Sequence, residues 1–80
     1  MTTQKAVAIR INELLKKENM TRYALCKKIA MPEATLRAIL NERYKTVKID
    51  TIILISDAFN MTFQEFFNHK IFSRDNLDID

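Results

Sequence analysis

Cys26 and His69 are the single cysteine and histidine of the 80-residue chain. Their types most readily do nucleophilic or metal chemistry, but their numbers and spacing offer neither. One thiol and one imidazole fall short of a structural zinc site, which takes four such ligands. No histidine lies near Cys26 in sequence to activate it, so it reads as a small packing residue. A lone cysteine cannot close an internal disulfide, which suits a reducing cytosol. The four methionines are better explained as core and staple residues than as a metal site. With no nucleophile–base pair, carboxylate pair, phosphate loop or metal motif, the chain is expected to be no enzyme, and no metal, cofactor or small-molecule substrate is evident.

The residue types do support binding of a polyanion. Residues 1–50 hold 11 Lys/Arg against 5 Asp/Glu, a net of +6, whereas residues 51–80 hold 2 against 5, a net of −3. A basic first part with an acidic tail suits a polyanionic partner, although a solvated surface on an ordinary soluble protein gives the same balance. Glu42-Arg43-Tyr44-Lys45-Thr46-Val47-Lys48 forms a polar, basic link. Lys27 and Lys28 are adjacent, so on a helix they point about 100° apart and cannot both face one partner; solvation of an exposed face is the reading preferred for them.

These side chains need a scaffold, and the apolar spacing says it is helical. Apolar residues make up 48% of the chain, enough for one small core. Val7, Ile11, Leu14 and Leu15 make one stripe of a first helix expected over about Gln4 to Glu18. Thr21 is a good N-cap for a second helix, with Met20 spaced to staple onto Leu25, and Leu25 and Ile29 form its buried stripe as far as Ala30. A third helix starts close to Pro32, buries Leu36 and Ile39 with Leu40 alongside, and ends near Asn41. A fourth runs from near Asp50 to about Phe59. Its consecutive Ile52, Ile53, Leu54 and Ile55 predict covering on more than one side. Thr62-Phe63-Gln64-Glu65 is a capping box that opens a fifth helix, with Met61 and Phe66 at staple spacing. The tail beyond Asn68 has no clear period; Ile71, Phe72, Leu77 and Ile79 either lie back on the domain or pair with another chain. No apolar run reaches the length of a membrane span, and the N-terminus lacks a signal-peptide stretch.

Five short helices with a tight corner between the second and third describe a helix-turn-helix. Thr21, Leu25, Ile29, Met31, Thr35, Leu36, Ile39 and Asn41 carry a resemblance to the Cro/repressor-type (Xre-like) helix-turn-helix family. Ile49-Asp50-Thr51-Ile52 then matches that family's Leu-Asp-Thr-Leu. Asn60-Met61-Thr62-Phe63-Gln64-Glu65-Phe66-Phe67 matches its Gly-Val-Ser-Leu-Asp-Glu-Leu-Phe ending. The likeness covers about Val7 to Phe67. It implies an all-α, compact five-helix domain over residues 1–68 and a C-terminal tail over 69–80. The family usually places glycine near positions 19, 30, 42 and 60, yet this chain contains no glycine. Asn19 and Asn60 suit left-handed geometry; Ala30 and Glu42 suit it less.

The resemblance also implies a DNA face. The third helix would enter the major groove, with Glu33, Ala34, Arg37 and Ala38 at base-reading positions. Arg37 can bond bidentately to guanine and Glu33 can accept from cytosine, while Ala34 and Ala38 offer only methyl groups. Glu33 is equally at home as an acid in a helix's first turn, and that reading is preferred. Thr21, Arg22, Thr35, Asn41, Arg43, Tyr44 and Lys45 would contact phosphates, with Lys48 beside them. The expected function is a small DNA-binding transcriptional regulator, repressor-like, of bacterial, phage or mobile-element type. It would act in the cytoplasm on the nucleoid, as a homodimer on double-stranded DNA. The candidate dimer interface is Leu54, Phe67, Ile71 and Phe72, unless the tail covers that face within one chain. The alternative is a helix-turn-helix protein-interaction module, such as an antitoxin or accessory regulator, with reduced DNA binding.

Overall fold

Threonine hydroxyls open three of the helices. Thr2 Oγ1 accepts from the Lys5 N–H at 3.2 Å, Thr21 Oγ1 from Ala24 at 3.0 Å and Thr62 Oγ1 from Glu65 at 3.0 Å. Each bond satisfies a first-turn donor that has no partner within its helix. At Thr62 the box is reciprocal, because the Thr62 N–H donates to Glu65 Oε1 at 2.9 Å. The computed structural model describes residues 1–79. It places α1 at Thr3–Lys17, α2 at Arg22–Lys28, α3 at Glu33–Leu40, α4 at Ile49–Ala58 and α5 at Phe63–Phe67, followed by 3-10 turns at Lys70–Phe72 and Arg74–Asn76. The fold is all-helical, as the apolar spacing predicts. Pro32 sits one position earlier than a first-turn proline: it is the N-cap of α3, at φ −61° and ψ 139°. Its carbonyl accepts from Thr35 at 3.0 Å and Leu36 at 3.3 Å.

Four corners turn through the left-handed region without glycine: Asn19 at φ 51°, Ala30 at 52°, Glu42 at 58° and Asn60 at 55°. Each follows a helix and is followed by an N–H that reaches back five residues. Met20 donates to the Leu15 carbonyl at 2.8 Å, Met31 to Cys26 at 2.9 Å, Arg43 to Ala38 at 2.9 Å and Met61 to Ser56 at 3.1 Å. This is the Schellman motif, which satisfies carbonyls that the ending helix leaves free. Met20, Met31 and Met61 pack against the core from the position after the left-handed residue. The same three residues precede the N-caps of α2, α3 and α5, so each stands both at the apolar slot of one helix's end and at the staple position of the next.

The core gathers Val7, Ile11 and Leu14 of α1 with Leu25, Leu36, Ile39, Ile52, Ile55 and Phe66, all 4% exposed or less. Burying each such side chain contributes about 1.5–3 kcal/mol. Helix α4 is covered on one side. Ile52 and Ile55 are 4% and 0% exposed, but Ile53 and Leu54 are 40% and 47% exposed. The expected covering on more than one side is therefore not met within the chain. Ser56, buried on α4, directs its hydroxyl to the Ile52 carbonyl at 2.8 Å and leaves no unsatisfied atom.

The tail lies back on the domain. Phe72 sits with its ring centroid 4.6 Å from Phe67 and 6.0 Å from Phe66. Asp78 then pairs with the start of the chain, bridging to Thr2 in parallel and donating its N–H to the Met1 carbonyl at 2.8 Å.

Candidate nucleic-acid interface

Helix α3 is anchored by Leu36, Ile39 and Leu40, which turn toward α1 and α2. That leaves Glu33, Ala34 and Arg37 exposed and Thr35 and Ala38 half-buried. Glu33 with Arg37, and Ala34 with Ala38, are four apart and stack on one side of the helix. The outward surface of α3 therefore offers one guanidinium, one carboxylate and two methyl groups.

Beyond α3 the chain passes Asn41, which caps the helix, turns at Glu42 and reaches Arg43. Arg43 takes the position that carries a core-packed methionine at the other three corners, and here it is exposed. A backbone device used elsewhere to bring an apolar side chain to the core holds a cation at the end of α3 instead. Thr35, Arg43, Tyr44, Lys45, Thr46 and Lys48 line a cleft of about 600 Å³ between α3 and the start of α4, completed by Ile39, Val47 and Thr51. Three of its lining side chains are cations. Among the described residues, Arg22, Arg37, Arg43, Lys45 and Lys48 enter no ion pair, since the three pairs present are Met1–Asp78, Arg10–Glu13 and His69–Glu13.

Thr21 and Arg22 stand apart from this cleft, at the start of α2. The Thr21 hydroxyl is engaged by the Ala24 N–H, and Arg22 is exposed as the first helical residue. Lys27 and Lys28 separate as expected of neighbours on a helix, and Lys28 has a structural partner that spacing alone does not reveal. Its Nζ donates to the Ala58 carbonyl at 3.2 Å, at the C-terminal end of α4. Cys26 is buried, and burial pushes its thiol up, with the charge of Glu33 adding to the effect. That environment keeps the sulfur protonated and inert.

A charged residue of α1 outside the expected site is central to the scaffold. Arg10 is 9% exposed. Its Nε donates to the Phe66 carbonyl at 2.8 Å and its Nη2 to the Glu65 carbonyl at 3.0 Å, while Nη1 pairs with Glu13 at 3.0 Å. The signal was available: Arg10 lies three after Val7 and four before Leu14, on the buried stripe of α1.

The candidate dimer residues divide by exposure. Leu54 is exposed; Phe67, Ile71 and Phe72 are half-buried, and the two phenylalanines belong to the ring cluster of their own chain.

A family model of the Cro/C1-type HTH DNA-binding domain matches residues 10–70. The chain belongs to that family. The crystal structure of the prophage Lp1 protein 11 superposes on it with a TM-score of 0.81, covering 92% of this chain and 99% of that one at 21% identity. At that identity the likeness establishes the fold alone. Comparison with curated protein sequences returns no match. As a Cro/C1-type domain the chain has α2 and α3 as its helix-turn-helix, with Ala30 at the corner between them. Among its described residues no helix is long and apolar enough to cross a membrane, and no group of three His, Cys, Asp or Glu is placed to hold a metal ion.

Proposed function

We propose that this Cro/C1-type domain is a small sequence-specific transcriptional regulator, repressor-like, that docks α3 in the major groove of duplex DNA. The observation that carries the proposal is the cleft at the end of α3, where Arg43, Lys45 and Lys48, which enter no ion pair among the described residues, stand beside Thr35 and Tyr44. Cations without protein partners release counterions when they meet phosphates, and that release drives DNA binding. Thr21, Arg22, Thr35, Asn41, Arg43, Tyr44 and Lys45 are assigned to the backbone. Glu33, Ala34, Arg37 and Ala38 are assigned to base edges, with Arg37 the one side chain able to make a bidentate contact to guanine. Because one short helix reads few base pairs, the active form is a homodimer on an inverted repeat. Exposed Leu54 lies at its centre, with Phe67, Ile71 and Phe72 alongside. Such a regulator works in the cytoplasm, on the nucleoid.

Selection of bound sequences from a random DNA pool tests the proposal. The expected product is a two-fold repeat whose half-sites contain guanine. Arg37→Ala should then relax preference at that base by about 1–3 kcal/mol. Arg43→Ala with Lys45→Ala should instead weaken all sequences alike and reduce the salt slope by about 2. Failure to retard any DNA at low salt would overturn the reading. It would favour a protein-interaction module, such as an antitoxin or accessory regulator, for which the exposed Glu33 and Ala34 at the tip of α3 argue.

A further inference from the structure

We propose that Glu42 limits the affinity of this domain for DNA of any sequence, an affinity-tempering role at a position where local forces oppose a glutamate. The proposal rests on the assignment of Asn41, Arg43 and Lys45 to the phosphate backbone.

The first opposing force is conformational. Glu42 stands at φ 58°, where a Cβ is strained and glycine or asparagine is at ease. The corners at Asn19 and Asn60 use asparagine for the same geometry. The second is the field of α3. Glu42 follows the C-cap Asn41, at the negative end of the helix dipole, which disfavours an anion. Glu33, at the other end of the helix, has the dipole in its favour, and Glu42 does not. The third is the absence of any compensating contact. Among the described residues the Glu42 carboxylate enters no ion pair and no side-chain hydrogen bond, although Arg43 is its immediate neighbour. Its side chain is exposed.

A residue that conflicts with its backbone, its helix and its neighbours, with nothing in the fold to offset them, is expected at a functional position. The function available to an exposed anion between Asn41 and Arg43 is repulsion of phosphate. It subtracts from the attraction of Arg43, Lys45 and Lys48 without removing their geometry. Repulsion of this kind acts through charge and distance, so it lowers binding to all sequences alike and leaves discrimination to Arg37. The consequence is shorter residence on every duplex, target and non-target alike.

Glu42→Gln keeps the left-handed strain and removes the charge; Glu42→Gly removes both. Binding of each to a random 20-mer duplex and to the selected site is measured by anisotropy at low and moderate salt, with Arg43→Ala/Lys45→Ala in parallel. Both Glu42 variants are expected to bind both duplexes about threefold tighter at low salt, an advantage that shrinks as salt rises. Glu42→Gly is expected to raise the melting temperature more than Glu42→Gln, because it removes the left-handed strain as well as the charge. If the two cation substitutions weaken binding but neither Glu42 variant tightens it, the proposal falls and the DNA-binding reading stands. If Glu42→Gly tightens binding and Glu42→Gln does not, backbone strain and not charge is responsible, and the proposal is overturned. If neither the wild type nor any variant binds DNA, the reading fails and the proposal falls with it.

Discussion

Arg10 Nε lies 2.8 Å from the Phe66 carbonyl oxygen, so the middle of α1 closes the last turn of α5 across 56 residues of sequence. Helix α5 is five residues long and cannot satisfy its own final carbonyls. The guanidinium supplies the missing donors, rests 5.9 Å from the centre of the Phe66 ring, and holds Glu13, whose other contact is His69 at 3.2 Å. Arg10→Ala strands the Phe66 carbonyl in a largely buried site and leaves the Glu65 carbonyl with the Asn68 N–H as its one donor, which is expected to cost about 2–4 kcal/mol. Arg10→Lys, a compact charge that cannot fork between two carbonyls, should recover only part of that. Urea unfolding of the three proteins measures this. A loss below about 0.5 kcal/mol for Arg10→Ala would mean that water replaces the guanidinium at no cost.

The corner between α2 and α3 makes the opposite kind of prediction. Ala30 holds φ 52° with no side-chain bond to stabilise it there. Ala30→Gly is expected to stabilise the domain by about 1 kcal/mol, the relief of left-handed strain less the extra freedom of the unfolded chain. The corner is already held by Met31 donating to Cys26, so the geometry should not change. The check is a thermal melt; a lower midpoint would show that the strain is absent in solution.

How far these features are legible in sequence follows from their range. Helix ends written into a few consecutive residues are readable: the Thr62–Glu65 box, the Thr21 cap, and the left-handed need at positions 19, 30, 42 and 60, which the family's glycine pattern points to. The stripe Val7, Ile11, Leu14 and Leu15 is readable because its spacing matches the helix period. The hydrogen bonds of Arg10 and Lys28 are not legible in sequence, because each reaches a carbonyl far along the chain. The tail has no period, and its course follows from long-range contacts of Phe72 and Asp78. At the interface, the basic link could be seen in sequence. The cleft that joins Thr35 and Thr51 to that link could not, because it depends on how α3 and α4 pack.

Acid should loosen the α5 end first. Burial pushes the Glu13 carboxyl up, but the hydrogen bonds and charges of His69 and Arg10 outweigh it and leave it below the ordinary glutamate value. Hydrogen bonds from the Thr62 N–H and hydroxyl lower Glu65 in the same way. A folded-state value below the unfolded one means stabilisation that is complete above the unfolded value, about 4.3, and is lost as pH falls through the folded one. Glu13→Gln and Glu65→Gln should therefore be less stable than wild type at pH 6. The gap should close as pH falls below about 4. Urea midpoints over that range read this directly, and a gap that stays constant with pH would count against ionised carboxylates at these two sites.

The proposed dimer interface separates into residues whose substitution should have different signatures. Leu54 is 47% exposed, so Leu54→Lys removes little core and should leave the unfolding midpoint of a dilute sample within about 0.5 kcal/mol of wild type. If Leu54 lies at a two-fold contact, that same change puts two cations face to face and should abolish self-association. Phe72 is different, because its ring already packs 4.6 Å from Phe67 and 6.0 Å from Phe66 within one chain. Phe72→Ala is expected to cost about 2 kcal/mol at any concentration, since aromatic burial and ring pairing are both lost. Sedimentation across a hundredfold concentration range, with and without a selected duplex, distinguishes the two effects. A wild type that stays monomeric even on DNA would rule out the dimer and leave Ile53 and Leu54 as solvent-facing residues. Association that survives Leu54→Lys but not Phe72→Ala would move the contact from α4 to the tail.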